Sequence, residues 1–163
     1  MVMLWALSTQ SISGTAWTMS TAGLGFPIVQ NRWYAFQYHI GWSGTGATSG
    51  LKVAAAATET VGTGGTQDRF ITHQTVANEG TGGLATWLQG HWTDYAGSAG
   101  TNTLTIIAVN TTLVTIIEGS VKAGTGGTFA PQWGNRGTGG NILIRTGSWG
   151  WYADLGLNAD TLS

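Results

Sequence analysis

The sequence predicts an all-β protein that forms a single antiparallel β-sandwich. Segments that alternate apolar with polar residues, or that are rich in β-branched residues, recur along the 163 residues and are separated by Gly/Ser/Thr clusters. Short strands at such spacing are typical of a sandwich or a barrel. No segment shows a long run of the 3.6-residue periodicity of an amphipathic helix, so nothing favours a helical fold.

The clearest strand covers Arg32–Ile40. Side chains on a strand point alternately to its two faces, and here one set is apolar while the other is mixed. The apolar set, which we expect to face the core, is Tyr34, Phe36, Tyr38 and Ile40.

Two further strands follow each other closely, at Leu104–Val109 and Leu113–Val121. The segment Asn110–Thr112 between them favours a tight turn, which predicts a hairpin. In the second strand, alternate residues from Leu113 to Val121 share the core face, and the intervening residues become polar towards the end of the strand.

The remaining strands are predicted at 15–19, 27–30, 51–56, 70–75, 84–95, 128–133, 141–145 and 149–155. Eight or more antiparallel strands fit a jelly roll. A chain of this length is expected to form one domain. We therefore predict one jelly-roll-like sandwich over residues 1–163, with an N-terminal arm at 1–7 and a mobile tail at 156–163.

The chain carries very few charges. Asp, Glu, Lys and Arg make up 8% of the residues, against about 25% in ordinary soluble domains. A surface with so few charges does little to keep molecules apart, so we expect partner proteins to cover much of it. The net charge is −1 and the six Lys and Arg residues are scattered singly, which argues against nucleic acid as a partner.

Signals for secretion and for membrane insertion are not found in the sequence. The apolar start Met1–Leu7 lacks a basic flank, and no run of about 18 apolar residues occurs. The chain contains no Cys, which excludes disulfides and cysteine nucleophiles. We expect neither a secretion signal nor a membrane span.

Groups that could carry catalysis are few and isolated. His39, His73 and the stretch His91–Asp94 lack the spacing of a metal site. Gly80–Ala85 matches a relaxed dinucleotide fingerprint without the flanking strand and helix that binding requires. Gly147–Gly150 lacks the spacing of a serine nucleophile elbow. We expect a protein that is not an enzyme, with no cofactor and no metal.

The nine tryptophans are the most informative side chains. Large aromatic residues dominate both cores and interfaces, and nine are too many to be all core. Trp149 and Trp151 lie on one face of the predicted last strand, and Trp42 lies just beyond the predicted core strand. Three roles stay open for such indoles: core packing, contact between subunits, and stacking on sugars.

The order of segments along almost the whole chain resembles a β-rich domain of tailed-bacteriophage structural proteins. The segments that carry the resemblance are Leu24–Val29, Trp33–Tyr38, Ser49–Val53, Ile117–Val121, Gly127–Trp133 and Arg145–Trp149. The resemblance implies a jelly-roll-like sandwich that serves as a capsid decoration (cement) protein, typically a homotrimer, or as part of a tail protein. It implies no catalytic residue.

We therefore expect a virion protein on the capsid exterior that binds the major capsid protein and stabilises the shell. In this hypothesis the N-terminal residues pair with the shell as an added strand. The alternative is a tail-associated module that binds a host carbohydrate or receptor. The residues expected at a capsid contact or a subunit interface are Met1, Leu4, Trp5, Leu7, Trp42, Trp149 and Trp151.

Overall fold

The computed structural model describes residues 1–16, 18–46, 49–57, 69–77, 88–94, 112–123, 126–135 and 137–156. Their regular structure is β-strand throughout, and every strand pair is antiparallel. Within this described part, no helix is long and apolar enough to cross a membrane. The prediction of an all-β, antiparallel protein is confirmed.

The strands in the described residues are β1 (Val2–Trp5), β2 (Gln10–Ile12), β3 (Thr18–Met19), β4 (Phe26–Ile28), β5 (Trp33–Gly44), β6 (Leu51–Ala57), β7 (Arg69–Ala77), β8 (Leu88–Asp94), β9 (Leu113–Lys122), β10 (Gly127–Asn135), β11 (Ile142–Ile144) and β12 (Trp149–Gly156). They form two sheets. The larger sheet has the order β1-β12-β5-β9-β7-β8, with β11 pairing both β2 and β5. The smaller sheet has the order β3-β10-β4, with β6 also pairing β10.

β5 and β9 lie at the centre of the larger sheet and pair in register from Trp33↔Lys122 to Trp42↔Leu113. The predicted alternation is confirmed on both strands, because every second side chain packs onto the core while its neighbours face away. The buried residues are Tyr34, Phe36, Tyr38, Ile40 and Trp42 on β5, and Leu113, Thr115, Ile117 and Val121 on β9.

The two sheets pack on each other through aromatic side chains. The ring centroids of Phe36 and Phe129 are 4.8 Å apart across the sheets, and Phe26 stacks on Tyr152 at 4.3 Å. Buried residues of both sheets belong to one hydrophobic cluster. This arrangement is consistent with the predicted β-sandwich.

The N-terminal stretch predicted as an arm forms strand β1. It pairs with β12 from Val2↔Tyr152 to Trp5↔Trp149, which makes it the edge strand of the larger sheet. Half-buried Leu4 packs against the core. A run of consecutive apolar residues lacks the alternation that marks a half-exposed strand, which is why the sequence pattern did not identify β1.

Other differences concern the ends of elements. β5 continues to Gly44, beyond the predicted end at Ile40, so Trp42 lies inside the strand and not in a loop after it. The predicted strand at Leu104–Val109 and residues 157–163 of the predicted tail lie outside the described residues. β12 ends at Gly156, whose φ of 93° follows a register shift after Asp154.

Candidate interaction surface

The candidate surface lies on the face of the larger sheet that points away from the core. We call it the outer face and define it by the outward side chains of β1, β12, β5 and β9. Register brings side chains from all four strands into rows across the sheet. One row is Trp5, Trp149, His39 and Ile116, and the next is Met3, Trp151, Gln37 and Glu118.

Three of the four residues in the first row carry aromatic rings. The rings of His39 and Trp149 stack at 3.9 Å with an angle of 8° between their planes. Trp5 continues the series, with its ring 6.5 Å from Trp149 and tilted by 39°. Trp149 therefore has ring neighbours on both sides, whereas Trp5 lies at the end of the row and is 54% exposed.

The second row is joined by hydrogen bonds. Trp151 Nε1 donates to Gln37 Oε1 at 3.1 Å, and Gln37 Nε2 donates to Glu118 Oε2 at 2.7 Å. His39 Nε2 also lies 3.1 Å from Gln37 Oε1. Because an amide oxygen only accepts, His39 must carry its proton on Nε2. The network holds the Trp151 indole nitrogen and the Gln37 amide in position without a partner.

His39 connects the two rows. Burial lowers the pKa of its imidazole, and the charge of Glu118 opposes that shift. The ring is therefore neutral at neutral pH. In this form it stacks on Trp149 and donates to Gln37 without bringing a charge to the outer face.

The edge next to the outer face is unusually apolar. Met1 is 84% exposed, Val2 49% and Met3 43%, and no residue of Met1–Leu7 carries a side-chain charge. Natural proteins usually protect an edge strand with charges, proline or a bulge. Among the described residues, β12 is the strand that pairs with β1. In the described structure, β1 has no charged side chain, no proline and no bulge.

The sequence-predicted contact residues fall into three groups. Trp5, Met1 and Leu7 are exposed, and Trp149 and Trp151 are partly exposed on the outer face. Leu4 points to the core side and is half-buried. The assignment of Trp42 to a surface contact is wrong, because this side chain is fully buried and its Nε1 donates to Thr115 Oγ1 at 2.9 Å.

Sequence reasoning missed five residues of these two rows: Met3, Gln37, His39, Ile116 and Glu118. The alternation along β5 did place Gln37 and His39 on the face opposite the core. It could not show that β12 and β9 lie on either side of β5, because the pairing partners are far apart in sequence. Strand register across the sheet is the information that assembles the surface.

The structure also places the residues that were considered for metal binding or catalysis. In backbone register, His91 lies opposite Thr72 and Asp94 opposite Arg69. No group of three or more His, Cys, Asp or Glu that could hold a metal is found in the part of the chain that is described. Ser148 is buried and its Oγ donates to the Arg145 carbonyl at 2.8 Å, so it closes a turn.

No protein-family model, curated protein or solved structure matches the chain. The outer face and the β1 edge are therefore the features of the chain that bear on its function.

Proposed function

We propose that this protein is a capsid decoration protein of a tailed bacteriophage, which binds the major capsid protein and stabilises the shell. In this proposal the two antiparallel sheets belong to a jelly-roll-like sandwich. The neighbours β5, β9 and β12 in the larger sheet come from distant parts of the chain. Long connections of this kind support a jelly-roll-like path of the chain over a simple meander.

The observation that carries the proposal is the composition of the outer face. The outward side chains described on β1, β12, β5 and β9 include four tryptophans, and Glu118 and Lys122 are the two charged residues among them. Depletion of charge together with enrichment in Trp and Met is the signature of the centre of a protein–protein interface. A surface of this composition is suited to burial against another protein.

Such a surface explains how a small domain could stabilise a shell. A protein that binds the assembled state and not its separated parts shifts the equilibrium towards assembly. Apolar burial contributes about 25 cal/mol for each Å² removed from water. The stabilising free energies of many copies, each with a modest contact area, then sum over the particle.

The alternative of a tail module that binds host glycan has less structural support. A sugar stacks on an open indole face. Trp42 is buried, and one face of Trp149 is covered by the stacked His39 ring. Trp5, Trp33 and Trp151 are the outer-face indoles on which that alternative would now depend. The homotrimer implied by the resemblance is untested, and sedimentation of the purified protein would distinguish it from a dimer.

The proposal is tested by the number of copies of this protein per major capsid protein in purified particles, measured by quantitative mass spectrometry. A near-stoichiometric ratio would support the decoration role. A few copies per particle would move the protein to the tail. Absence from particles would refute both virion roles.

A further inference from the structure

In the part of the chain that is described, β1 pairs with β12 on one side, and the backbone of β1 has a second side that no other strand pairs with. Ala6 N–H donates to the Ser148 carbonyl at 2.8 Å, and Val2 and Leu4 lie opposite Tyr152 and Gly150. In an antiparallel pair the hydrogen-bonded positions alternate. The even-numbered residues therefore bond to β12, and the backbone N–H and C=O groups of the odd-numbered residues point to the opposite side.

Part of that side is already occupied within the chain. Leu7 N–H, which points the same way, donates to the Ala22 carbonyl at 2.9 Å. A Cβ on Gly23 would lie 3.1 Å from the Trp5 carbonyl oxygen, so the 22–23 segment also borders Trp5. Among the described residues, the accessible edge is thus short: it includes Met1 and Met3, and it ends at Trp5.

We propose that this edge pairs with β1 of a second copy of this chain, antiparallel across a two-fold axis at Met3. In that register Met3 lies opposite Met3 of the second copy, Val2 opposite Leu4, and Trp5 opposite Met1. The inference goes beyond the proposed function and does not depend on it, because the pairing is between two copies of this chain.

The side chains of β1 are complementary to themselves in this register. On the outer face, Trp5 of each copy meets the flexible thioether of Met1, a favourable contact between sulfur and an aromatic ring. On the other face Val2 meets Leu4. A two-fold axis places each residue opposite a residue of the same strand, so a charge near its centre would meet its own copy. Residues Met1–Leu7 contain no charged side chain, so no like charges are opposed.

The backbone groups also match. Met3 has its N–H and C=O on the open side, so the two Met3 residues form a hydrogen-bonded pair. The N–H of each Trp5 faces the carbonyl of Met1 in the other strand. The outer faces of the two copies then join into one continuous surface, in which Trp149 and Trp151 of each copy flank the new strand pair.

The test uses the absence of cysteine from the chain. A hydrogen-bonded antiparallel pair has Cα atoms about 5.5 Å apart, which lies within the range that a disulfide spans. The purified full-length Met3→Cys protein, oxidised at low micromolar concentration, should therefore convert almost completely to a covalent dimer. The matched control is Val29→Cys, at an apolar position that is 58% exposed on the turn before β5.

The parent protein should sediment as a dimer in analytical ultracentrifugation. A parent that sediments as a monomer or a trimer would overturn the inference, and so would equally slow cross-linking of Met3→Cys and Val29→Cys. A three-fold ring would place β1 against a different element of its neighbour.

A charge-pairing experiment reports the Met3–Met3 contact without depending on oxidation. Met3→Lys and Met3→Glu should each weaken self-association roughly tenfold, which corresponds to about 1.4 kcal/mol. An equimolar mixture of the two should restore it as a heterodimer. A mixture that stays as weak as either variant would show that Met3 does not lie opposite itself.

A separate experiment tests the proposed function. Sedimentation of the parent protein with capsids that lack it reports binding to the shell. Efficient Met3→Cys cross-linking without capsid binding would refute the decoration role and retain the two-fold pair. Capsid binding by a protein that is monomeric in solution would support the decoration role and refute the two-fold pair.

Discussion

Both faces of β5 contact aromatic side chains, but the inner face is buried and the outer face is partly exposed. On the inner face, Tyr38 and Trp42 are fully buried against the second sheet. On the outer face, His39 and Gln37 are half-buried beside Trp149 and Trp151 of the neighbouring strand. Aromatic content therefore does not distinguish core from interface here. What distinguishes them is whether the described residues supply a second layer over that face.

The comparison predicts that inner-face substitutions reduce stability most. Trp42→Ala should lower the free energy of unfolding by about 3–5 kcal/mol, because it removes a large buried side chain and leaves Thr115 Oγ1 without the indole donor. Urea denaturation followed by circular dichroism would measure the change. Trp42→Phe should lose less, since it keeps most of the packing. A loss below 1 kcal/mol for Trp42→Ala would contradict the burial of this indole.

The next largest effect concerns Gly150, which lies between the two outward tryptophans of β12. A Cβ at this position would lie 2.5 Å from Tyr38 Cδ1 and 2.7 Å from the Gln37 carbonyl oxygen. Gly150→Ala should therefore cost about 1–3 kcal/mol through overpacking, measured by the same denaturation. Gly14→Ala is the control, since its nearest neighbour would be 3.9 Å away. Equal effects of the two substitutions would show that the inner face of β12 is not tightly packed.

The residues in these two predictions show which parts of the fold could be predicted from the sequence. Alternation along β5 predicted that Tyr34, Phe36, Tyr38 and Ile40 are buried, because period-two patterning is a property of a single strand. The same pattern gives Trp42 the parity of Ile40, but the predicted strand ended before it. The chemistry of the outer face was not predictable, because it depends on which distant strand lies beside β5.

Substitutions on the outer face should reduce binding to the capsid more than they reduce stability. Trp149→Ala removes the stack with His39, and such aromatic pairs contribute about 0.5–1.5 kcal/mol beyond area burial. We expect a loss of about 1 kcal/mol in unfolding free energy. Under the proposed function, affinity for capsids lacking the protein should fall at least tenfold. Val29→Ala, on an exposed apolar residue away from the outer face, is the matched control. Equal capsid affinity of both variants would exclude Trp149 from the contact.

The smallest expected effect is a pH dependence from His39. Burial lowers the pKa of this imidazole below its ordinary value of 6.5, with Glu118 opposing the shift. The unfolded chain then binds a proton more readily than the folded one. The contribution of neutral His39 to stability is therefore complete above pH 6.5 and declines as the pH falls through 6.5 towards the lower pKa of the folded state.

Titration of the His39 ring protons by NMR would measure this pKa directly. His39→Gln serves as the control, because it leaves an amide beside Trp149 and removes the titrating group. In unfolding measurements between pH 7.5 and 5, the parent protein should lose slightly more stability than His39→Gln. A folded-state pKa above 6.5 would mean that Glu118 outweighs burial. His39 would then carry a charge at mildly acidic pH, and the outer face would gain a positive charge in the middle of its aromatic row.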